Sequence, residues 1–304
     1  STGISEPLPV AATFDFRDEH GVSLSDVARI DTMVTVVDAV NLLKDYSSRD
    51  FLSDRGETTG EEDERSLVDL LTDQIEFADV VILNKVDDAT PEQVDAARKI
   101  IRSLNADTEI IETNHSNVPS GTILDTGLFD FEKAHEHPMW AKELYGFSEH
   151  VPETEEYGVT SYVYRARRPF VPEKIRAVLN SAMPGVIRSK GFFWLATRPG
   201  WVVEFSLAGS LSSIKPLGTW WASVPKERWP DEDAVRKYLE GHWQEPWGDR
   251  RQEIVFIGAG IDWEALKARL DDALLPEEVA SGPDNLPADL PDPFPMWRRT
   301  EVAQ

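Results

Sequence analysis

The fold of this chain is decided by one apolar strand and the polar turn that follows it: Val80-Val81-Ile82-Leu83-Asn84-Lys85-Val86-Asp87. A short continuous run of β-branched and aliphatic residues is typical of a strand that is buried on both faces of a parallel sheet. In open α/β sheets, ligands bind beyond the carboxyl ends of the strands, which is where this polar turn lies. The stretch therefore predicts an α/β fold with a binding site at the turn.

The turn from Asn84 to Asp87 has the form Asn-Lys-x-Asp, the guanine-reading motif of GTP-binding proteins. A carboxylate at Asp87 can accept hydrogen bonds from N1–H and the exocyclic amine of guanine, whereas adenine offers no matching donors. The alternative is that Asp87 and Asp88 merely start a turn before the next helix. The motif favours a guanine nucleotide as the ligand.

A phosphate-binding loop of the form Gly-x-x-x-x-Gly-Lys-Ser/Thr does not occur in these residues, because none of the 11 lysines follows a glycine. Hydrolysis of GTP requires backbone amides and a lysine around the triphosphate, together with Mg²⁺ held by a hydroxyl and an acid. We therefore expect this polypeptide alone neither to bind GTP tightly nor to hydrolyse it.

The length, charge and cysteine content of the chain argue against a membrane-spanning or nucleic-acid-binding protein. A length of 304 residues suffices for two ordinary domains, and no apolar run approaches the roughly 20 residues that span a bilayer. The 31 basic and 55 acidic residues give a net charge of −24, which argues against nucleic acid and anionic membranes as partners. The absence of cysteine and of an apolar signal core favours the cytoplasm, and nothing indicates an oligomeric state.

The first half of the chain alternates strands and helices, which predicts parallel βα units. We expect strands at 33–37, 79–83 and 108–112, and helices at 39–46, 64–78 and 91–103, the last with Thr90 as N-cap and Pro91 at its first position. The acidic stretch 54–64 is predicted to be a solvated loop. Residues 1–156 would form this domain together with a connector that is rich in charge, histidine and proline.

The second half predicts an α+β domain over residues 157–279. We expect strands at 159–166, 191–195, 202–207 and 254–257, and helices at 172–182, 231–241 and 262–274. The tripeptide Arg198-Pro199-Gly200 is predicted to be a hairpin turn, and Asp231 a helix cap. The proline- and acid-rich end of the chain, including the tail 280–304, is expected to be loosely ordered.

Several stretches, in this order and spacing, resemble the CobW family of P-loop GTPases, a group of metallochaperones and metal-site maturation factors. They are STGISEP at 1–7, DTMVTVVDA at 31–39, DQIEFAD at 73–79, NKVD at 84–87 and GDRRQEIVFIG at 248–258. The resemblance covers about residues 1 to 279. It implies an incomplete P-loop GTPase-type parallel sheet with flanking helices, followed by a smaller α+β C-terminal domain.

The family pattern begins with a P-loop, a Cys-x-Cys-Cys metal motif and a Glu-Ser/Thr-Thr-Gly segment. This sequence starts inside the last of these, so we expect it to be a trimmed or partial form of a longer protein. The resemblance implies GTP or GDP with Mg²⁺ in the intact parent, which would be a GTPase. The cargo would be Zn²⁺, or alternatively Co²⁺, delivered to a client metalloprotein.

Carried over to this sequence, the family pattern implies roles for individual residues. Asn84 would brace neighbouring loops, Lys85 would lay its stem along the base and Asp87 would read guanine. The polar loop after the next strand would cover the base, or else be an ordinary surface loop; it contains Thr113, Asn114 and His115.

Two residues at the start of the sequence would lie near the γ-phosphate, Thr2 and Gly3. A glycine amide after the Mg²⁺-side strand can donate a hydrogen bond to that phosphate. Disorder at the start of the chain is the alternative.

Candidate metal ligands are His135 and His137, in the sequence His-Glu-His, with His150 and His115 as further imidazoles. Imidazoles two residues apart point to different faces of a helix, so this is not the i, i+4 zinc-binding pair. The histidines therefore form either a solvated connector or a Zn²⁺ transfer site.

Aromatic and basic clusters leave a second function open. The tryptophans concentrate after residue 190, where they would form either a core or a client-binding surface. The basic cluster would form ion pairs or contact bound phosphate; its members are Arg165, Arg167, Arg168, Arg250 and Arg251. The alternative to the GTP-dependent chaperone is therefore a non-catalytic client-binding module with a vestigial nucleotide site.

Overall fold

A parallel sheet and an antiparallel sheet, each flanked by helices, organise the chain as predicted. The structure is a computed structural model that describes residues 5–48, 66–131, 138, 141, 158–280, 282–287 and 289–297. The helices are α1 (Pro7–Asp15), α2 (Leu42–Tyr46), α3 (Leu67–Glu76), α4 (Pro91–Leu104), α5 (Pro172–Leu179), α6 (Asp233–His242) and α7 (Trp263–Ala273). The strands are β1 (Val34–Asp38), β2 (Val80–Asn84), β3 (Glu109–Thr113), β4 (Val159–Ala166), β5 (Val186–Leu195), β6 (Arg198–Ala208), β7 (Leu211–Thr219) and β8 (Gln252–Ala259). Within these described ranges, no helix has both the length and the apolar character needed to cross a membrane.

The first sheet has the order β1-β2-β3, and all of its pairings are parallel. The central strand β2 is the apolar run of the sequence, and each of its residues from Val80 to Leu83 is at most 3% exposed. Because the strands are parallel, their carboxyl ends meet at one edge. Asp38, Asn84 and Thr113 lie side by side there in register.

Two helices of the first domain begin after a capping residue, of which Thr90 was predicted and Ser66 was not. Thr90 caps α4 in a capping box with Gln93, and Pro91 occupies the first turn. Ser66 caps α3 by accepting a hydrogen bond from the amide of Asp69. These interactions involve only neighbouring residues, which explains why the cap at Thr90 could be predicted from the sequence.

The second sheet is antiparallel, with the order β4-β8-β5-β6-β7. Helices α5 and α7 pack together, and their apolar residues share a buried core with those of β4, β5, β6 and β8. Asp262 caps α7 by accepting a hydrogen bond from the amide of Ala265. The prediction of an α+β second domain is confirmed in its architecture.

Two local predictions in this domain are wrong, and one strand was missed. The hairpin between β5 and β6 turns at Ala196 and Thr197, because Leu195 pairs with Arg198; the tripeptide Arg198-Pro199-Gly200 therefore lies within β6. The cap position of helix α6 is Glu232, one residue after the predicted Asp231, and its side chain makes no capping hydrogen bond. Strand β7 was not predicted, since it is a mostly exposed edge strand without apolar alternation.

The described part of the tail is packed against the second domain, so the prediction of loose order is wrong for these residues. Asp292 accepts hydrogen bonds from both Nε and Nη2 of Arg198, and Phe294 is buried in the domain core. The guanidinium of Arg198 also lies 4.1 Å from the ring centroid of Trp297. These contacts with residues distant in the sequence order the tail, although its proline-rich composition favours loose order.

The two domains meet at a buried ion pair. Arg188 of β5 donates to Glu76 of α3 at 2.6 Å, and both side chains are almost fully buried. Beside this pair, the hydroxyl of Tyr46 donates to the carbonyl of Ile187. Gly209 has a positive φ and lies so close to the Tyr46 carbonyl that a side chain there would clash. The burial of Glu76 was not predicted, because it depends on the second domain.

Breaking the interdomain ion pair should destabilise the protein strongly. We expect Glu76→Gln to lower the free energy of unfolding by about 3 kcal/mol, because it leaves the buried charge of Arg188 without its partner. The measurement is urea unfolding followed by tryptophan fluorescence. Asp233→Asn removes the fully exposed partner of Arg236 and serves as a control, with an expected change of less than about 0.5 kcal/mol. Equal stability of the two variants would contradict the buried pair.

The same interface predicts that the stability of the protein depends on pH. Burial, together with the nearby Glu76 carboxylate, raises the pKa of Asp73 to about 7, against the opposing effect of Arg188 and Lys190. Because the folded state binds this proton more tightly than the unfolded state, the wild-type protein loses stability as the pH rises from about 4 to 7.

The neutral variant Asp73→Asn avoids this loss. Its stability relative to the wild type should be unchanged near pH 4 and increase up to pH 8, by roughly 1.4 kcal/mol for each pKa unit of the upward shift. Thermal unfolding of both proteins across this pH range measures the difference. A difference that does not vary with pH would contradict the raised pKa.

Candidate functional site

The turn after β2 and the loop after β3 hold each other at the carboxyl edge of the parallel sheet. The amide of Ser116 donates to the side-chain oxygen of Asn84 at 2.9 Å. In the opposite direction, the amide of Asp87 donates to the side-chain oxygen of Asn114 at 3.1 Å. The hydroxyl of Thr113 donates to the carbonyl of Asn117, which closes the loop on itself. The two segments thus form one hydrogen-bonded unit.

The backbone of this unit is strained. Four non-glycine residues among those described have a positive φ, and three of them lie here: Lys85 at 62°, His115 at 53° and Ser116 at 51°. The left-handed conformation costs about 1–2 kcal/mol for a residue with a side chain. Such strain concentrates at binding sites, where the surrounding contacts hold it in place.

The chemical group that this arrangement presents to solvent is the carboxylate of Asp87. Its backbone is fixed through Asn114, while its side chain is exposed and makes no hydrogen bond to the described residues. Two carboxylate oxygens held at a fixed edge can accept two hydrogen bonds from one planar donor pair. The N1–H and exocyclic amine of guanine form such a pair, and adenine lacks it.

The ammonium group of Lys85 lies 2.7 Å from the carboxylate of Asp38, across the edge from β2 to β1. The hydrogen bond that Lys85 donates to the Asp38 carboxylate raises the pKa of Lys85 above its usual value. Burial works to raise the pKa of Asp38, but hydrogen bonds from Lys85, Asn41 and two backbone amides outweigh burial and lower it. Sequence analysis missed this partner; its only signal was an acid at the end of a predicted strand.

The structure brings together some of the predicted site residues and leaves others untested. Asn84, Lys85, Asp87, Thr113 and Asn114 share the carboxyl edge, and the exposed His115 lies in the same loop. The remaining candidates lie outside the described residues; they are Thr2, Gly3, His135 and His137. Nucleotide binding by the first group and metal binding by the histidines stay predictions.

The basic cluster in the second domain has structural partners. Arg165 and Arg251 both pair with Glu253 at 2.7 to 2.8 Å. The other arginines donate to main-chain carbonyls, among them Arg167 to His242 and Arg250 to Pro199. These contacts match the ion-pair alternative for Arg165 and Arg251, and internal hydrogen bonds account for the others.

Six of the tryptophans in the second domain fall into two groups. Trp194, Trp220 and Trp247 are buried in a cluster of the second domain. Partly exposed rings form a chain of edge contacts, Trp221 to Trp229 and Trp229 to Trp243, with centroid distances of 6.5 and 5.6 Å. The first group belongs to the core, and the second leaves a partly apolar surface.

Two known domain families match the chain in the order that the sequence implied. Residues 1–112 match the CobW/HypB/UreG nucleotide-binding domain, and residues 159–274 match the C-terminal domain of the cobalamin synthesis protein CobW. Among solved structures, the Zn(II)-bound YjiA GTPase from E. coli aligns with 90% of this chain and 69% of its own, at 18% identity and a TM-score of 0.33.

Curated relatives are longer than this chain. The zinc-regulated GTPase metalloprotein activator 1 of Dictyostelium discoideum is 43% identical over 290 residues, which is 93% of this chain and 60% of the relative. A zinc chaperone of Mycobacterium tuberculosis is 30% identical over 135 residues, 44% of this chain and 34% of the relative. The chain therefore spans 60% or less of the length of these relatives.

The mutual bracing of the two loops can be tested without any ligand. We expect Asn114→Ala to remove the acceptor of the Asp87 amide and to increase hydrogen exchange at that amide by about tenfold, since one hydrogen bond is lost. Asn117→Ala is the matched control, because Asn117 contributes only backbone groups to the contacts above. The loops are independent if the Asp87 amide exchanges equally fast in both variants, as measured by NMR.

Proposed function

The chain carries a CobW-type nucleotide-binding domain and a CobW C-terminal domain, and on this premise we propose that it recognises the guanine base in a GTP-dependent metallochaperone that delivers zinc to a client metalloprotein. The support for zinc comes from the relatives, one named as a zinc-regulated GTPase metalloprotein activator and one as a zinc chaperone. Nothing in these names refers to cobalt, so cobalt is the less supported cargo.

The observation that carries the guanine proposal is the turn from Asn84 to Asp87 at the end of β2. It combines an exposed carboxylate with a backbone that a neighbouring loop holds in place. Preorganisation of this kind lowers the entropy cost of binding a rigid ligand. In the proposed complex, Asp87 accepts from the base, Lys85 lies along it, and Asn84 braces the loops.

Binding of the nucleotide phosphates requires groups that the Asn-Lys-x-Asp turn does not supply, namely backbone amides, a lysine and Mg²⁺. In the part of the chain that the structure describes, no three His, Cys, Asp or Glu side chains converge into a possible metal site. Mg²⁺ at a nucleotide is held by a hydroxyl, an acid and the phosphates themselves, and the sequence contains no Gly-x-x-x-x-Gly-Lys-Ser/Thr loop that would hold those phosphates. We propose that this polypeptide by itself binds GTP weakly and does not hydrolyse it.

A non-catalytic client-binding module is the second candidate, and the partly exposed contacts among Trp221, Trp229 and Trp243 favour it. Aromatic residues at a surface are common anchors in protein interfaces. In that case the NKVD turn would be vestigial, and guanine nucleotides would not bind at any length of the protein. The two candidates therefore differ in nucleotide affinity.

Replacing the Asp87 carboxylate by an amide tests whether this residue recognises guanine. Xanthine has a carbonyl where guanine has the exocyclic amine, so an amide at position 87 can donate to xanthine. We expect Asp87→Asn in the full-length protein to weaken GDP binding on the order of 100-fold, because two hydrogen bonds to a charged group are lost, and to make xanthosine diphosphate the better ligand. Isothermal titration calorimetry measures both affinities.

The control is Asp88→Asn, which removes the adjacent carboxylate and should leave GDP affinity within about twofold. The guanine proposal would be wrong if ADP bound the wild-type protein as tightly as GDP, or if Asp87→Asn had no effect on GDP binding.

A further inference from the structure

The ion pair between Asp38 and Lys85 joins the ends of two strands at the candidate base site. Asp38 is the last residue of β1 and pairs in register with Asn84, the residue before Lys85. The amide of Ala39 donates to the carbonyl of Asn84 at 3.0 Å, so the backbones stay in contact just past the strand ends. The carboxylate is therefore fixed relative to the start of the Asn-Lys-x-Asp turn.

The carboxylate of Asp38 is held by donors on both of its oxygens. Its Oδ1 accepts from the amides of Val40 and Asn41, at 2.9 and 3.3 Å. Its Oδ2 accepts from the side-chain amide of Asn41 at 2.9 Å and from Lys85 Nζ at 2.7 Å. With four donors around it, this carboxylate has one orientation, whereas an ordinary exposed acid can rotate.

Lys85 gains from a fixed partner because its side chain would otherwise be free to move. Its backbone is in the left-handed region and its side chain is about half exposed. A lysine side chain loses about 2 kcal/mol of conformational entropy when it is fixed in one position. If the protein has already fixed the side chain, the ligand does not have to supply that free energy.

An ordinary surface ion pair is the competing explanation, and α4 offers one for comparison. Lys99 and Asp95 lie 2.8 Å apart one helical turn from each other. That pair has nearly the same length, but the two residues lie within one helix, away from the strand ends. The pair at Asp38 differs because it links two strand ends and shares its carboxylate with three other donors.

We propose that Asp38 is a positioning residue for guanine recognition, which acts by holding Lys85 in the orientation in which its stem lies along the base. The inference rests on the proposed function, because it assumes that a guanine nucleotide binds at this edge. It adds a residue from a different strand to the Asn-Lys-x-Asp motif, one that touches Lys85 and not the nucleotide.

The test is a double-mutant cycle on GDP affinity in the full-length protein, with Asp38→Asn, Lys85→Met and the two combined. Asparagine keeps the side-chain oxygen that accepts from Val40 and Asn41 but removes the charge that holds Lys85. We expect Asp38→Asn to raise the Kd for GDP about tenfold, the size typical of one charge-assisted hydrogen bond. The combined variant should bind no more weakly than Lys85→Met alone, because both changes remove the same interaction.

The matched control is Asp95→Asn, which breaks the comparison pair on α4 and should leave the Kd for GDP unchanged. Thermal unfolding of every variant shows whether the fold is intact. The inference is overturned if Asp38→Asn binds GDP like the wild type, or if its effect multiplies fully with that of Lys85→Met. If the wild-type protein itself does not bind GDP, the proposed function fails, and the inference with it.

Discussion

Parallel hydrogen bonding of β2 to β1 on one side and to β3 on the other sets the geometry of the candidate site. It brings Asp38, Asn84 and Thr113 into one register at a single edge. The burial of residues 80–83 holds this register, because a slip by one residue would turn every side chain to the opposite face. The loops that follow the strands can brace each other only because this register places their starting points side by side.

The strands that carry the site are also linked to the second domain. Helix α2 follows Asp38 and ends at Tyr46, whose hydroxyl donates to the carbonyl of Ile187. Helix α3 precedes β2 and ends at Glu76, the buried partner of Arg188. A short path of contacts therefore connects the strand ends beside the Asn-Lys-x-Asp turn with the antiparallel sheet.

Sequence reasoning succeeded where structure is determined by neighbouring residues. The predicted cap at Thr90 involves residues only three positions apart, and the apolar run of β2 needs only burial. It failed where a distant partner decides. Pro199 and Gly200 lie in a strand and Phe294 is buried, because Arg198 joins β6 to the tail through Asp292. The anchoring of Lys85 was missed for the same reason, since Asp38 lies 47 positions away in the sequence.

The sequence by itself determined the α/β architecture and the position of the Asn-Lys-x-Asp turn at the end of a buried strand, and it predicts guanine as the base that the Asp87 carboxylate reads. These follow from periodicity, local capping and the donor pattern of guanine, all of which are properties of short segments. Only the tertiary structure decided which groups fix that turn, namely Asn114 on one side and Asp38 on the other. Contacts between distant segments depend on how strands are ordered and aligned in the sheet, and no local pattern in one sequence encodes that alignment.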